Sequence, residues 1–383
     1  MKKRLFSIVL SLCMVLALMP QMVFAEEGTA TELQNMLNGG GTVKLEKNYA
    51  IDTTLEVNGT VTLDLNGYTI SMIDIHSMIR VGSGGNLTLH DSRPTATHTD
   101  VSLPAGGVIT REDRLEGGGG GVSVEEGSFT MNGGTIYNCS ANTAGGVSVD
   151  GGSFTMNGGV IYGCSAKLLG VAVASTRVAN IYANGGTIKG AVISFGKILN
   201  TATDGGCTRF YDEVTNDSGT ISGGIYYGGI SGDGTVEGTY HTVSFDLNGG
   251  SGSIPKQWFV NIDTAQALEP VAPTREGYEF AGWYNGDTKY DFTQNVTENI
   301  TLTAHWESVE APIITGLENG KTYCDAVEFE VTDNVGVASV TAGDEALRPT
   351  NGKYTLEKGI GNVTVVAKDN AGYETSVTVT VNN

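Results

Sequence analysis

Basic residues are scarce in this chain. Lysine and arginine total 22 against 42 aspartates and glutamates, for a formal charge of -20. Nothing on such a surface could neutralise a run of phosphates, so nucleic-acid binding is excluded as a main role. Adhesion to anionic lipid is excluded on the same ground. Proline is scarce as well, 8 residues in 383. Glycine is abundant at 55 but spread through a strand-and-turn pattern, so the bias is neither collagen-like nor that of a disordered tract. Cysteines number five, at spacings that match no zinc site. No apolar run follows the first 25 residues that could span a bilayer, for which about 20 residues are needed.

Those first 25 residues read as a signal peptide. Lys2, Lys3 and Arg4 form a basic start, Phe6 to Leu18 an apolar stretch, and Val23-Phe24-Ala25 a small-residue exit before Glu26. Its removal takes the formal charge to about -23 and leaves Cys139, Cys164, Cys207 and Cys324 in an exterior that permits disulfides. The expected location is extracellular or on a bacterial cell envelope, with no membrane span after cleavage. The C-terminal VTVTVNN has no sorting motif or apolar tail. Release, retention by the protein's own modules, and a longer parent chain all stay open.

What is present is a repeat. Gly120 to Ala166 reads GGVSVEEGSFTMNGGTIYNCSAN and then GGVSVDGGSFTMNGGVIYGCSA. Val122, Phe129, Asn132, Ile136 and Cys139 recur 25 residues later as Val147, Phe154, Asn157, Ile161 and Cys164. A period of this size marks a solenoid whose turns bury their apolar faces only by stacking. Apolar residues alternate in short runs between glycine pairs, so each turn is built of strands and sharp bends. The fold class expected is all-β, led by a right-handed parallel β-helix over 26–240. A helical cap is expected at Thr29 to Asn38, with Thr29 and Glu32 as a capping box, Leu33, Met36 and Leu37 as its apolar face and Gly39 as its stop. Asn132, Asn157 and Asn184 are expected to ladder at the Asn-Gly-Gly bends, where asparagine tolerates left-handed backbone. Cys139 and Cys164 stack on adjacent turns, about 4.8 Å apart. That distance fits a bridge, but parallel Cβ vectors favour a reduced pair.

Asp91 to Asp113 breaks the pattern with Pro94, Pro104 and His98, and reads as a loop excursion from one turn. Insertions of this kind fall on one face of a solenoid, often the binding face.

His241 to Glu307 holds all three tryptophans, Trp258, Trp283 and Trp306. Val243-Ser-Phe-Asp-Leu-Asn-Gly-Gly250, Pro273-Thr-Arg-Glu-Gly-Tyr-Glu-Phe-Ala-Gly-Trp-Tyr284, Tyr290-Asp-Phe292 and Val296 to Trp306 resemble the internalin B B-repeat, or Listeria–Bacteroides repeat, family. The resemblance implies a small β-grasp-like module at 241–307, used as a stalk or adhesion unit in bacterial envelope proteins, with no catalytic residues to transfer. The steady alternation after 308 reads as a β-sandwich. VTDNVGVASV (Val331 to Val340) and AKDNAGYETSVTVTV (Ala367 to Val381) resemble bacterial Ig-like domains, placing an Ig-like module at 308–383.

Chemistry is sparse. Glu125, Glu126 and Asp150 are the acids of the regular turns, and all sit at a loop tip. Lys and Arg are nearly absent from the repeats, with Arg111 and Arg114 just before them. No cofactor and no metal is expected. Asp333-Asn334 and Asp369-Asn370 are oxygen-rich turns that read first as plain β-turn residues, with calcium ligation as the alternative. Tyr137 and Tyr162 are expected to point outward, as a glycan platform or a surface ladder. The function expected is a non-catalytic adhesin or interaction scaffold for a host or cell-wall glycan or a protein. The alternative is a polysaccharide lyase or glycoside hydrolase with its site in the Asp91–Asp113 loop.

Overall fold

The computed structural model describes residues 27–72, 76–111, 120–167, 172–176, 179–202 and 206–383. The expected signal peptide, Asp113 and Arg114 lie outside the described residues. The regular structure of the described residues is all strand apart from one α-helix, and the chain divides into two compact units at Thr239/Tyr240.

The first unit is a parallel β-helix. Each regular turn carries three main strands, typified by Val122–Val124, Ser128–Met131 and Thr135–Tyr137, and the two most regular turns add a short fourth, Ser140–Ala141 pairing with Ser165–Ala166. Each strand pairs in parallel with its counterpart one turn later: Val122 with Val147, Phe129 with Phe154, Ile136 with Ile161. Three parallel sheets result, one of eight strands, one of nine, and a third running from Gly28–Thr29 to Gly224–Tyr226. The 25-residue offset is thus the register between these two turns in all three sheets, and it places identical side chains on one another in the core. Phe129 stacks on Phe154 with centroids 5.2 Å apart and planes 12° apart. In the third sheet the inward file runs Ile70, Ile109, Ile136, Ile161, Ile188 and Phe210, all buried.

Glycine serves two purposes at the corners. At the Asn-Gly-Gly bends the second glycine takes the left-handed backbone, with φ of 81° at Gly134, 83° at Gly159 and 79° at Gly186. The asparagines do not adopt it. Their side chains ladder instead: Asn157 Nδ2 donates to Asn132 Oδ1 at 2.8 Å, and Asn184 Nδ2 to Asn157 Oδ1 at 3.1 Å. At the other corner the constraint is proximity. A Cβ on Gly152 would lie 1.9 Å from the Gly127 carbonyl oxygen in the turn below. No side-chain rotation relieves a clash with backbone, so Gly152→Ala is expected to cost about 3 kcal/mol, measured by urea unfolding.

Helix α1 (Ala30–Asn38) closes the open end of the solenoid. Thr29 Oγ1 accepts from the Glu32 amide at 3.3 Å, and Leu33 and Leu37 are buried. The helix stops at Gly39 as expected, though the cap itself is not left-handed. Gly39 keeps right-handed φ at -68°, and the left-handed turn falls on Gly40 at 67°. Gln34 adds a contact that spacing could not show. Its amide donates to the Glu56 carbonyl at 2.9 Å and accepts from the Glu56 amide at 2.7 Å, satisfying the first strand of the eight-stranded sheet at its exposed edge.

Cys139, Cys164 and Cys207 are buried free thiols and Cys324 is exposed. The Cys164 sulfur beside it and burial together push the Cys139 thiol well above its ordinary value, while the hydrogen bond from Cys139 lowers Cys164. Both sulfurs are buried, which keeps reagents from them. One thiol is expected to react with Ellman's reagent in the native mature protein and four in guanidinium. A Cys139–Cys164 bridge would lower the second number to two.

The second unit begins with a mixed sheet. Its strands run in the order Gln257–Val260, Tyr240–Asp246, Ile300–Ser308, Tyr278–Asn285, Thr288–Lys289. Tyr240–Asp246 and Ile300–Ser308 are parallel and the other pairs antiparallel. The motif residues form its core: buried Trp283 takes the edges of Phe245 and Phe280 at 5.0 and 5.3 Å, and Trp306 Nε1 donates to the Leu247 carbonyl at 3.0 Å. Beyond residue 308 a three-stranded and a five-stranded sheet share a core that includes Phe329, Val340, Leu356, Val365 and Val379.

Candidate functional site

The excursion after the Asn86–His90 strand is anchored by two buried carboxylates. Asp91 Oδ1 accepts from the Gly67 amide at 2.8 Å and the Arg93 amide at 3.2 Å, and its Oδ2 accepts from the Gly107 amide at 2.7 Å. One side chain therefore ties both ends of the loop to the bend below. Asp64 Oδ1 accepts from the Ser92 and Asn66 amides, each at 2.9 Å, and Lys44 lies 3.5 Å from Oδ2. Burial pushes the Asp64 carboxyl up, but the Ser92 amide and hydroxyl, the Asn66 amide and Lys44 outweigh it, and the carboxyl sits below its ordinary 3.8. A depressed folded pKa stabilises above the unfolded value and is lost as pH falls through the folded one. The stability difference between wild type and Asp64→Asn is therefore expected to be constant from pH 8 to 5 and to shrink only below about pH 4, read by thermal melts at each pH.

The excursion is shorter than its sequence suggested: Val108–Arg111 is already a strand of the third sheet. Held at its base, the loop folds over the outward face of that sheet and encloses an open cavity of about 430 Å³. The sheet supplies Thr69, Ser71, Thr110 and Tyr137, and the loop supplies His98 and Asp100 among others. His98 pins the loop down. Its Nε2 lies 2.7 Å from the Gly106 carbonyl, which can only accept, so Nε2 carries the proton and Nδ1 faces the Thr69 hydroxyl at 3.4 Å. Both ring nitrogens are engaged. The Ser102 hydroxyl and amide, at 2.7 and 2.9 Å, hold the Asp100 carboxyl below its ordinary range, as an acceptor. Arg111 is fully buried at the cavity's edge, with Nη1 donating to the His76 carbonyl at 2.9 Å.

Tyr137 and Tyr162 are half-buried on the outward face, with ring centroids 4.7 Å apart and planes tilted by 41°. Tyr137 lines the cavity, and Tyr162 stands one rung beyond it. Burial and the neighbouring Tyr137 raise the Tyr162 hydroxyl above its ordinary pKa, so it stays a neutral donor. The sequence did not single out Ser71 and Thr110. They occupy the positions directly below Tyr137 in the same file, Ser71 beside Thr110 and Thr110 beside Tyr137.

The acids of the regular turns lie elsewhere. Glu125 pairs with Arg80 at 3.5 Å, and Arg80 also reaches Glu56 at 3.6 Å. Asp150 accepts from the Ser148 hydroxyl. The oxygen-rich turns of the second unit are used locally, with Asp333 accepting from the Val335 amide and Asp369 from those of Gly372 and Tyr373. Among the described residues no three His, Cys, Asp or Glu side chains gather as a metal site. No described helix is long and apolar enough to cross a membrane.

Residues 241–305 match the family described as the Listeria-Bacteroides repeat domain. A stretch of 122 residues, 30% of this chain, is 40% identical to internalin H of Listeria monocytogenes and covers 19% of that protein. A stretch of 100 residues, 25% of this chain, is 36% identical to a putative membrane protein of Evansella cellulosilytica over 14% of its length. A putative Gly-rich membrane protein of the same bacterium is 33% identical over 100 residues, 11% of its length. The chain spans less than a fifth of each of these relatives. It joins a parallel β-helix to a Listeria-Bacteroides repeat, a combination that fits a bacterial surface protein.

Proposed function

We propose that this chain is a secreted, non-catalytic binding scaffold of the bacterial surface. In this reading residues 1–25 direct export, the β-helix at 26–240 is the adhesin, and the modules at 241–307 and 308–383, the latter Ig-like, space it or attach it. The ligand is a host or cell-wall glycan seated in the cavity beneath the 91–107 loop. The observation that carries this is the composition of that cavity. Thr69, Ser71, Thr110, Asn48 and Asp100 line the same cavity as Tyr137. Sugars ask for this mixture, since their hydroxyls need directed donors and acceptors while their C–H faces pack on aromatic rings.

The chemistry of the loop supports binding over turnover. Glycoside hydrolysis needs a carboxyl held protonated as general acid, and the Asp100 shift runs the other way. A general base needs a free nitrogen, and both of those on His98 are occupied. The polysaccharide-enzyme reading keeps one observation in its favour, which is that the loop does form a cavity containing His98, Asp100 and Glu27. Screening the mature protein against immobilised host and cell-wall glycans and proteins, with mass spectrometry of the retained ligand, separates the two. A glycan held intact for a day supports the scaffold. New reducing ends or unsaturated products would sink it, and a protein as the sole ligand would overturn the glycan assignment. The protein is expected in the wall fraction or medium of the native cells; recovery from the cytoplasm would refute export.

A further inference from the structure

The file that floors the cavity does not end at Tyr162. Tyr162 pairs with Lys189 on the next turn. The Lys189 ammonium lies over the Tyr211 ring, 5.4 Å from its centroid, and Tyr211 lies 5.1 Å from Tyr227, their planes tilted by 58°. The Tyr211 and Tyr227 amides donate to the Ile188 and Phe210 carbonyls at 3.0 and 2.9 Å, so the parallel ladder carries through both. Tyr137, Tyr162, Lys189, Tyr211 and Tyr227 thus form one outward track along the solenoid axis, starting inside the cavity. Four rungs separate its ends, about 19 Å at the spacing of paired strands. Two residues before Lys189 on the same strand is Thr187, whose partner one turn later is Arg209. Arg209 therefore stands beside the track, and its side chain hydrogen-bonds that of Tyr227.

The two cations differ from the others of this unit that hold carboxylates. Lys44, Lys47 and Arg80 pair with Asp64, Glu32 and Glu56. Lys189 and Arg209 are exposed and lie against tyrosines. In a chain of net charge -20, two cations that lie against an aromatic track, with no carboxylate partner among the described residues, stand apart, and the exposed Asp212 and Glu213 follow Tyr211 on the same turn. Resting on the glycan reading above, the geometry points to an extended acidic polysaccharide as the ligand. One end sits in the cavity and the chain runs along the track, with about one sugar per turn. The tyrosine faces pack on its rings, and Lys189 and Arg209 pair with its carboxylates or sulfates. A globular protein partner would not need this regular spacing, and a neutral glycan would leave both cations unused.

The test is calorimetric titration of the mature protein with oligogalacturonates, hyaluronan oligosaccharides and heparin-derived oligosaccharides of two to eight sugars. Neutral cello-oligosaccharides serve as the comparison. Affinity for an acidic series is expected to climb with length until about six sugars and to fall with added salt. Tyr211→Ala is expected to weaken the longest oligomer about tenfold, a loss of one aromatic contact, and to leave the disaccharide unchanged. Tyr211→Phe keeps the ring and should behave as wild type. Lys189→Gln should weaken the long acidic oligomer about fivefold and flatten its salt dependence. Melting curves of each variant confirm folding. Binding of neutral oligomers alone, or affinity that stops growing at two sugars, overturns the acidic track and leaves the cavity reading standing. Length-dependent binding indifferent to Tyr211→Ala and Lys189→Gln also overturns the track. Binding to none of these oligomers, acidic or neutral, removes both readings.

Discussion

Phe154→Ala is expected to lower the stability of the β-helix by about 3–5 kcal/mol, the range for truncating a buried phenylalanine that cannot be refilled. The ring is fully buried. It stacks on Phe129 below and pairs with Ile181 above, so its loss opens a void bounded on both sides by turns whose spacing the backbone ladder fixes. Collapse into the void would require three parallel sheets to shift together, which puts the cost at the upper end. A solenoid is stabilised turn by turn, so the damage is expected to spread from the middle outward. Hydrogen exchange should show lost protection in Ser128–Met131, Ser153–Met156 and Asn180–Ala183 first. The measurement is urea unfolding of the mature protein, with Phe154→Leu as a milder comparison expected to lose no more than about 1.5 kcal/mol.

Asp91→Ala is expected to cost about 3 kcal/mol and to abolish ligand retention. Removing the carboxylate leaves the amides of Gly67, Arg93 and Gly107 without their acceptor, and hydrogen bonds to a charged group contribute about 1.5–3 kcal/mol each before water compensates. The effect on binding should exceed the effect on stability. The loop is tied down at both ends by this one side chain, and without it the cavity loses its roof. Asp150→Ala is the matched control. It removes a carboxylate from an exposed turn and is expected to shift stability by no more than about 0.5 kcal/mol. Comparable losses from the two substitutions would show that the Asp91 clamp does not hold the loop.

The solenoid was legible in the sequence because its two perfect turns repeat core, bend and register at one spacing. The 25-residue offset between Phe129 and Phe154 or Ile136 and Ile161 is the strand pairing itself. The repeat module was legible through its ordered motifs, whose aromatic residues turn out to pack on one another. The site was only half legible. Tyr137 and Tyr162 stood out because they share the perfect period. Ser71 and Thr110 occupy the same file, but the intervals from Ser71 to Thr110 and from Thr110 to Tyr137 are set by loop lengths, so no fixed spacing reveals them. Tyr211 and Tyr227 were hidden for the same reason, as the turns shorten after Lys189. The Asp91 clamp was invisible because its three partners are backbone amides, which every residue but proline offers. The asparagine bends mark the limit of residue preference. The ladder formed, but the left-handed backbone went to the glycine that follows, which meets no steric cost there.

The central claim is that an intact glycan rests beneath the 91–107 loop against Tyr137. Diffraction from crystals of the mature protein soaked with the retained glycan tests it directly. The account predicts an unbroken chain with one sugar on the Tyr137 ring, among Thr69, Ser71 and Thr110. A cleaved chain in the cavity, or a ligand bound on another face while this cavity holds only solvent, would contradict it.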